Sequence, residues 1–292
     1  MSTKNWKCVV SLAVLGLFLA GVPARANNIY TSPGGNWNVP GNWSLGHVAF
    51  QAGDGYAVVN GNGEVFVTDA ENAGGWFCIG SSSTGGAVLT LNNPLSHLTA
   101  TNDCLFATAQ QGANGPATLN LSNGVWDQTG GGFYFGHQYA ATVNQTGGQL
   151  LIYNASTGGL TYNIASPGGT TCTYNLHGGF LITPKIVGTA GRTGILDFGG
   201  AGVLEIGNAS NGGNPWTYAN LTAIANVTVE VLGAAPTGSS QFSFTPVTEG
   251  GLNYTQIALV TEPSDIPEPA TMALLGLAAT GLGGYIRRRR AA

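Results

Sequence analysis

Val143-Asn-Gln-Thr-Gly-Gly-Gln-Leu150 and Tyr174-Asn-Leu-His-Gly-Gly-Phe-Leu181 are two copies of one pattern. An apolar residue is followed by Asn, a turn of small residues comes next, and an apolar residue closes the run. Leu119-Asn-Leu-Ser-Asn-Gly-Val-Trp126 and Leu196-Asp-Phe-Gly-Gly-Ala-Gly-Val203 are looser copies. The alternation on either side of the turn is that of a strand with one buried face. Gly-Gly and Asn-Gly supply the positive φ that a sharp corner between two strands needs.

A shorter segment recurs between these copies, apolar-x-apolar-small. It reads Phe77-Cys-Ile-Gly80, Phe106-Ala-Thr-Ala109, Phe133-Tyr-Phe-Gly136, Tyr162-Asn-Ile-Ala165 and Lys185-Ile-Val-Gly188. The closing small residues are 29, 27, 29 and 23 positions apart. Turns of that length, with two or three strands each, predict an all-β chain coiled as a β-solenoid. Leu, Val, Ile and Phe would stack inward, rung on rung. The alternative is a β-sandwich, since strands 8 to 12 residues apart with turn signals also suit that fold.

Short strands are expected before the repeat, at Tyr56–Val59, Glu64–Val67 and Ala87–Leu91. Two strands after it, Val227–Leu232 and Gln256–Val260, read as closing rungs and a cap. No stretch of 27–262 keeps a 3.6-residue period with caps, so almost no helix is expected there.

The ends of the chain read as addresses. Lys4 and Lys7 precede an apolar run from Val9 to Val22, and Ala24-Arg25-Ala26 has the A-x-A form of a signal-peptidase site. Residues 1–26 therefore read as a signal peptide, and the partners it implies are signal peptidase and the secretion machinery. At the other end, 263–292 form a tail in three parts. Pro267-Glu268-Pro269 is a stiff acidic elbow, 270–286 are an uncharged and mostly apolar run, and Arg287, Arg288, Arg289 and Arg290 follow. A 17-residue helix rises about 25 Å, the lower limit for a membrane span. The prolines mark its start, and the arginines predict a cytoplasmic stop.

The tail, on Pro267-Glu268-Pro269, the apolar run and the arginine cluster together, resembles the PEP-CTERM sorting signal of exported bacterial surface proteins. The resemblance implies a membrane-embedded exosortase as processing enzyme and delivery to the cell surface or matrix. Asn36-Trp37 and Gly41-Asn42-Trp43, which open the mature body, resemble the start of secreted proteins with autotransporter-type β-strand repeats. Physically, the two tryptophans suit the cover of a β stack whose first rung would otherwise expose an edge. The sharper reading is carbohydrate stacking.

The body, 27–262, holds two basic residues, Lys185 and Arg192, against eleven acidic ones, a balance of −9. That argues against nucleic acid, whose binding needs Lys and Arg on phosphates. Charged residues are 8% of the chain, so it must stay ordered by closing its backbone hydrogen bonds in ladders and turns. The body's three cysteines, Cys78, Cys104 and Cys172, lack metal or redox spacing and read as small buried residues, although a Cys78–Cys104 bridge suits an oxidising compartment.

No catalytic site, cofactor or metal site is expected. Asp69 and Glu71 share a strand face, both expected to face solvent. His97, His137 and His177 recur every 40 residues but occupy different places in the repeat. The reading is a non-enzymatic surface or matrix protein, structural or adhesive. The alternative is a glycan-binding module using exposed Trp37, Trp43, Trp126 or Trp216, with an exopolysaccharide as ligand; a polysaccharide-acting enzyme ranks last.

Overall fold

The computed structural model describes residues 26–260, apart from 50–53, 61–62, 73–75, 83–85, 112, 154–158 and 163–169. The chain winds as a β-solenoid. A partial turn, β1 (Ala26–Tyr30) and β2 (Gly35–Asn36), comes first. Three turns of three strands follow: β3 (Asp54–Val59), β4 (Glu64–Phe66) and β5 (Ala70–Asn72); β6 (Trp76–Ile79), β7 (Ala87–Leu91) and β8 (His97–Ala100); β9 (Cys104–Phe106), β10 (Ala117–Leu121) and β11 (Val125–Gln128). In the next two turns the second and third strands fuse around a bulge: β12 (Phe133–Phe135) with β13 (Ala141–Ile152), and β14 (Leu160–Tyr162) with β15 (Thr171–Thr183). The last full turn is β16 (Ile186–Gly188), β17 (Thr193–Phe198) and β18 (Val203–Gly207).

Strands of successive turns pair in parallel, which rules out the antiparallel sandwich. They form a narrow sheet, β1-β3-β6-β9-β12-β14-β16, and a wide sheet bent into two columns. The leading column runs β2, β4, β7, β10 and the first halves of β13 and β15, then β17. The trailing column runs β5, β8, β11 and the later halves of β13 and β15, then β18.

The register is the one the long segments imply. Val65, Leu89, Leu119, Val143, Tyr174 and Leu196 lie one above another and are fully buried. Each such side chain contributes about 1.5–3 kcal/mol by leaving water. The corners are the glycine pairs. Gly148 and Gly179 take φ of +63° and +69°, and a Cβ on Gly179 would lie 2.2 Å from the Gly148 carbonyl oxygen.

Three short segments are displaced from the expected alignment. Phe77 stacks on Cys104, Phe133, Leu160 and Ile186, while Ile79 stacks on Phe106, Phe135 and Tyr162. Phe106 and Tyr162 therefore sit two residues along from the expected register, a slip that keeps their face. Lys185 sits one residue off and lies on the outer side. In the last full turn Leu181 meets Leu204, not Val203, because Gly199-Gly-Ala-Gly202 adds a residue to the corner.

Both ends are closed. At the start, 42–44 run antiparallel along β1: Thr31 N donates to Asn42 O and Ser44 N to Ile29 O, each at 2.8 Å. Trp43 donates from Nε1 to Trp37 O at 2.7 Å, and Trp37 packs edge-on against Trp43 and Phe77. At the finish, helix α1 (Tyr218–Thr222), held by a Thr217–Asn220 capping box, buries Leu221 and leads to β19 (Val227–Val231) on β17. A hairpin, β20 (Phe242–Glu249) and β21 (Leu252–Leu259), then pairs antiparallel with β18. Pro246 breaks the donor row of β20, one way an edge strand is kept from pairing with another chain.

Candidate functional site

The tryptophans proposed as exposed glycan platforms are interior residues. Trp37 and Trp126 are 0% exposed, Trp43 3% and Trp216 7%. Their positions explain it: Trp126 stacks in register between Leu98 and Leu150, and the two N-terminal tryptophans seal the first rung. No face of these rings is free for a sugar.

The titratable groups are mostly structural. The body's three cysteines are buried, and burial pushes the Cys78 thiol up to about 12 and that of Cys172 to about 11. Such thiols stay protonated and unreactive. His177 pairs with Asp197 at 2.8 Å, and Asp197 also accepts from Gly233 N at 2.9 Å. His97 approaches Asp127 at 3.9 Å, and His137 meets Thr108 at 3.0 Å. The histidines thus bind three different neighbours, and among the described residues no group of three potential ligands gathers around a metal position.

Glu71 departs from its expected place. It lies in register with the inward Leu98, half-buried, and burial followed by the nearby Asp69 raises its pKa. Asp69 is exposed and accepts from Asn38 Nδ2 at 2.6 Å.

The two outer faces of the solenoid differ. On the leading column Asn120, Asn144 and Asn175 form a ladder: Asn175 Nδ2 donates to Asn144 Oδ1 at 2.8 Å, and Asn144 Nδ2 to Asn120 Oδ1 at 3.0 Å. Asn120 reaches on to Thr90, and Thr90 to Glu64. Asn120 and Asn144 each donate once and accept once, half of an amide's capacity, and Asn175 donates once.

The narrow sheet turns aromatic and apolar groups outward. Val58, Cys78 and Leu105 are buried there with Ala113, beneath the segment that connects β9 and β10. That segment folds back over the sheet, and Asn27 Nδ2 donates to Gln111 Oε1 at 3.0 Å. Beside it, Tyr56 and Trp76 are paired across β3 and β6, with ring centroids 5.9 Å apart. Trp76 is 37% exposed. The next residue in that column is Asp103, whose backbone carbonyl accepts from Phe77 N, and then Gly132, whose carbonyl accepts from Cys104 N. Asp103 Oδ1 accepts from Gly132 N at 2.7 Å, and the Tyr134 ring lies over Gly132, where a Cβ would meet it at 3.1 Å. Burial, then the Asp103 carboxylate by charge and hydrogen bond, raises the Tyr134 pKa. Sequence reading missed Trp76, although it stands one place before the inward Phe77 and so falls on the outer side by alternation.

A cavity of about 410 Å³ opens between β18 and the hairpin, lined by Lys185, Gly207, Asn208 and Tyr254. Its buried polar side chain is already satisfied: Asn208 Oδ1 accepts from Thr255 at 2.7 Å, and Asn208 Nδ2 donates to Tyr254 O.

Residues 265–290 match the PEP-CTERM protein-sorting motif. The match takes in Pro267, Glu268, Pro269 and the four arginines Arg287 to Arg290. No curated protein and no solved structure matches the chain. The PEP-CTERM motif implies export, processing by an exosortase and membrane-associated sorting toward the cell surface. The tail and Ala24 lie outside the described residues, as does the expected span over 270–286; among the described residues no helix is long and apolar enough to cross a membrane. Ala26, the last residue of the expected signal, is exposed at the start of β1.

Proposed function

We propose that this exported protein serves at the cell surface or in the extracellular matrix as a structural or adhesive element, and is not an enzyme. The observation that carries the reading is the PEP-CTERM motif joined to a β-solenoid body. Glycoside hydrolysis needs two facing carboxylates, and lyase chemistry needs a base beside a cation site. Three of the body's acids each have a non-acidic partner, Asp197 with His177, Glu205 with Gln256 and Asp103 with Gly132. Glycine corners and stacked rungs make a stiff rod that suits a scaffold.

The domain reading goes with it: a signal peptide over 1–26, a body over 27–262 and a sorting tail over 263–292. Intact mass of the protein recovered from the host envelope and medium tests this. A chain that begins near Asn27 and lacks the span and arginines is expected; one still ending at Ala292 in the membrane fraction means a plain anchor. Incubation with a polysaccharide panel is expected to release no reducing ends, and turnover would overturn the non-enzymatic reading.

A further inference from the structure

We propose that the outer face of the narrow sheet, at Tyr56, Trp76, Asp103 and Tyr134, binds a neutral polysaccharide. The proposal deepens the adhesive reading above and rests on it for the class of ligand at hand.

Two features carry it. First, Trp76 is the one tryptophan among the described residues whose ring is substantially exposed, and it stands beside Tyr56 at 5.9 Å on an adjacent strand. Flat aromatic faces take the C–H face of a pyranose, burying apolar area while leaving hydroxyls free to hydrogen-bond. Second, Asp103 occupies the next position in the same column. One of its oxygens is held by Gly132 N at 2.7 Å, which fixes the carboxylate, and an ionised carboxylate has further acceptor capacity for sugar hydroxyls. The positions that follow in the column, Gly132 and Gly159, are covered by the Tyr134 ring and the Lys185 side chain, so the open platform is Tyr56, Trp76 and Asp103, bordered by Tyr134.

The charge of the ligand follows from the body. With two basic residues against eleven acidic ones in the body, and a carboxylate within the platform, the net field disfavours uronate, sulfate and phosphate, although Lys185 lies further along the column over Gly159. A neutral polymer meets no such field. Rigidity helps as well: Tyr56 and Tyr134 pack against the buried cluster of Val58, Cys78, Leu105 and Ala113, so little side-chain freedom is lost on binding.

The test uses the full chain in mild detergent, run by native electrophoresis through gels containing hydroxyethylcellulose, dextran or galactomannan, with alginate as the anionic comparison. Retardation by a neutral polysaccharide is expected, with none by alginate. Trp76→Ala should weaken it about tenfold, the scale of one anchoring aromatic, while Trp76→Phe retains part of the binding. Oligosaccharide from the retarding polymer should also shield the unaltered chain's fluorescence from acrylamide, since Trp76 is the most exposed tryptophan among the described residues, and Trp76→Ala should abolish that shielding. Mobility unchanged by every neutral polymer, retardation by alginate alone, or an affinity indifferent to Trp76→Ala overturns the proposal. Release of reducing ends from a bound polymer would instead overturn the structural reading and leave this site standing.

Discussion

The outer face of the leading column and the outer face of the narrow sheet are built on the same rungs, yet they solve the surface differently. The first is a ladder whose members bond one another, Asn175 to Asn144 to Asn120 to Thr90. The second turns apolar and aromatic groups outward, covers Val58, Cys78 and Leu105 with a returning segment, and leaves Trp76 beside it at the surface. A face whose polar groups are satisfied by its own neighbours contributes to stability. A face with a rigid aromatic left in water is suited to a partner. Substitutions should therefore cost stability on one face and binding on the other.

The strongest way to break this comparison is to ask whether Trp76 behaves as an interior residue. Trp126→Ala removes a fully buried ring and should cost about 3–5 kcal/mol, seen as a large fall in the urea midpoint. Trp76→Ala should cost clearly less, about 1–2 kcal/mol, since over a third of that residue is in water. Equal losses would place both tryptophans in the core and remove the distinction.

Next comes the corner that both columns of the wide sheet share. Gly179→Ala puts a Cβ against the Gly148 carbonyl oxygen at a φ of +69°, so about 2–3 kcal/mol is expected from strain and overpacking together. Gly191→Ala, also at positive φ but with nothing near its Cβ, should cost only the backbone strain, about 1 kcal/mol. The difference between the two, read by thermal unfolding, isolates the stacking of corners.

Within the ladder, Asn144→Ala removes one hydrogen bond on each side and should cost about 1–2 kcal/mol. Its effect on glycan retardation should be nil, which sharpens the division of labour. The smallest effect lies at the edge of the stack. The folded pKa of Glu71 is raised by burial and by Asp69. Its charge therefore opposes folding at neutral pH, a penalty absent below the unfolded value and growing as pH rises through the folded one. Glu71→Gln should raise stability at pH 7 by well under about 1 kcal/mol and change nothing at pH 3.5. A loss at pH 7 would mean that its carboxylate is doing something other than tolerating burial.

Much of the fold was legible. Val143–Leu150 and Tyr174–Leu181 align in the structure as they do on paper, because a bulged strand with a glycine pair at its corner has one register that keeps Val143 over Tyr174 and Leu150 over Leu181. The short segments were less legible. Phe77-Cys-Ile and Cys104-Leu-Phe share alternation but not residue types, so matching aromatic to aromatic moved Phe106 two places. The tryptophans misled for a related reason. Trp is amphipathic, and only its neighbours on other rungs say which end is wet: Trp126 meets Leu98 and Leu150, while Trp76 meets Tyr56 and the open side.

By itself the sequence determined the winding, the corners, the near absence of helix and the sorting tail. These depend on local alternation, on glycine's access to positive φ, and on motifs read residue by residue. The tertiary structure alone decided which aromatic rings are interior and which face solvent. It also turned Glu71 inward and brought Asn27 to Gln111 across 84 positions of chain. Those outcomes turn on which rung lies above which, and a shift of one residue reverses a side chain's face without altering the pattern that specifies the strand.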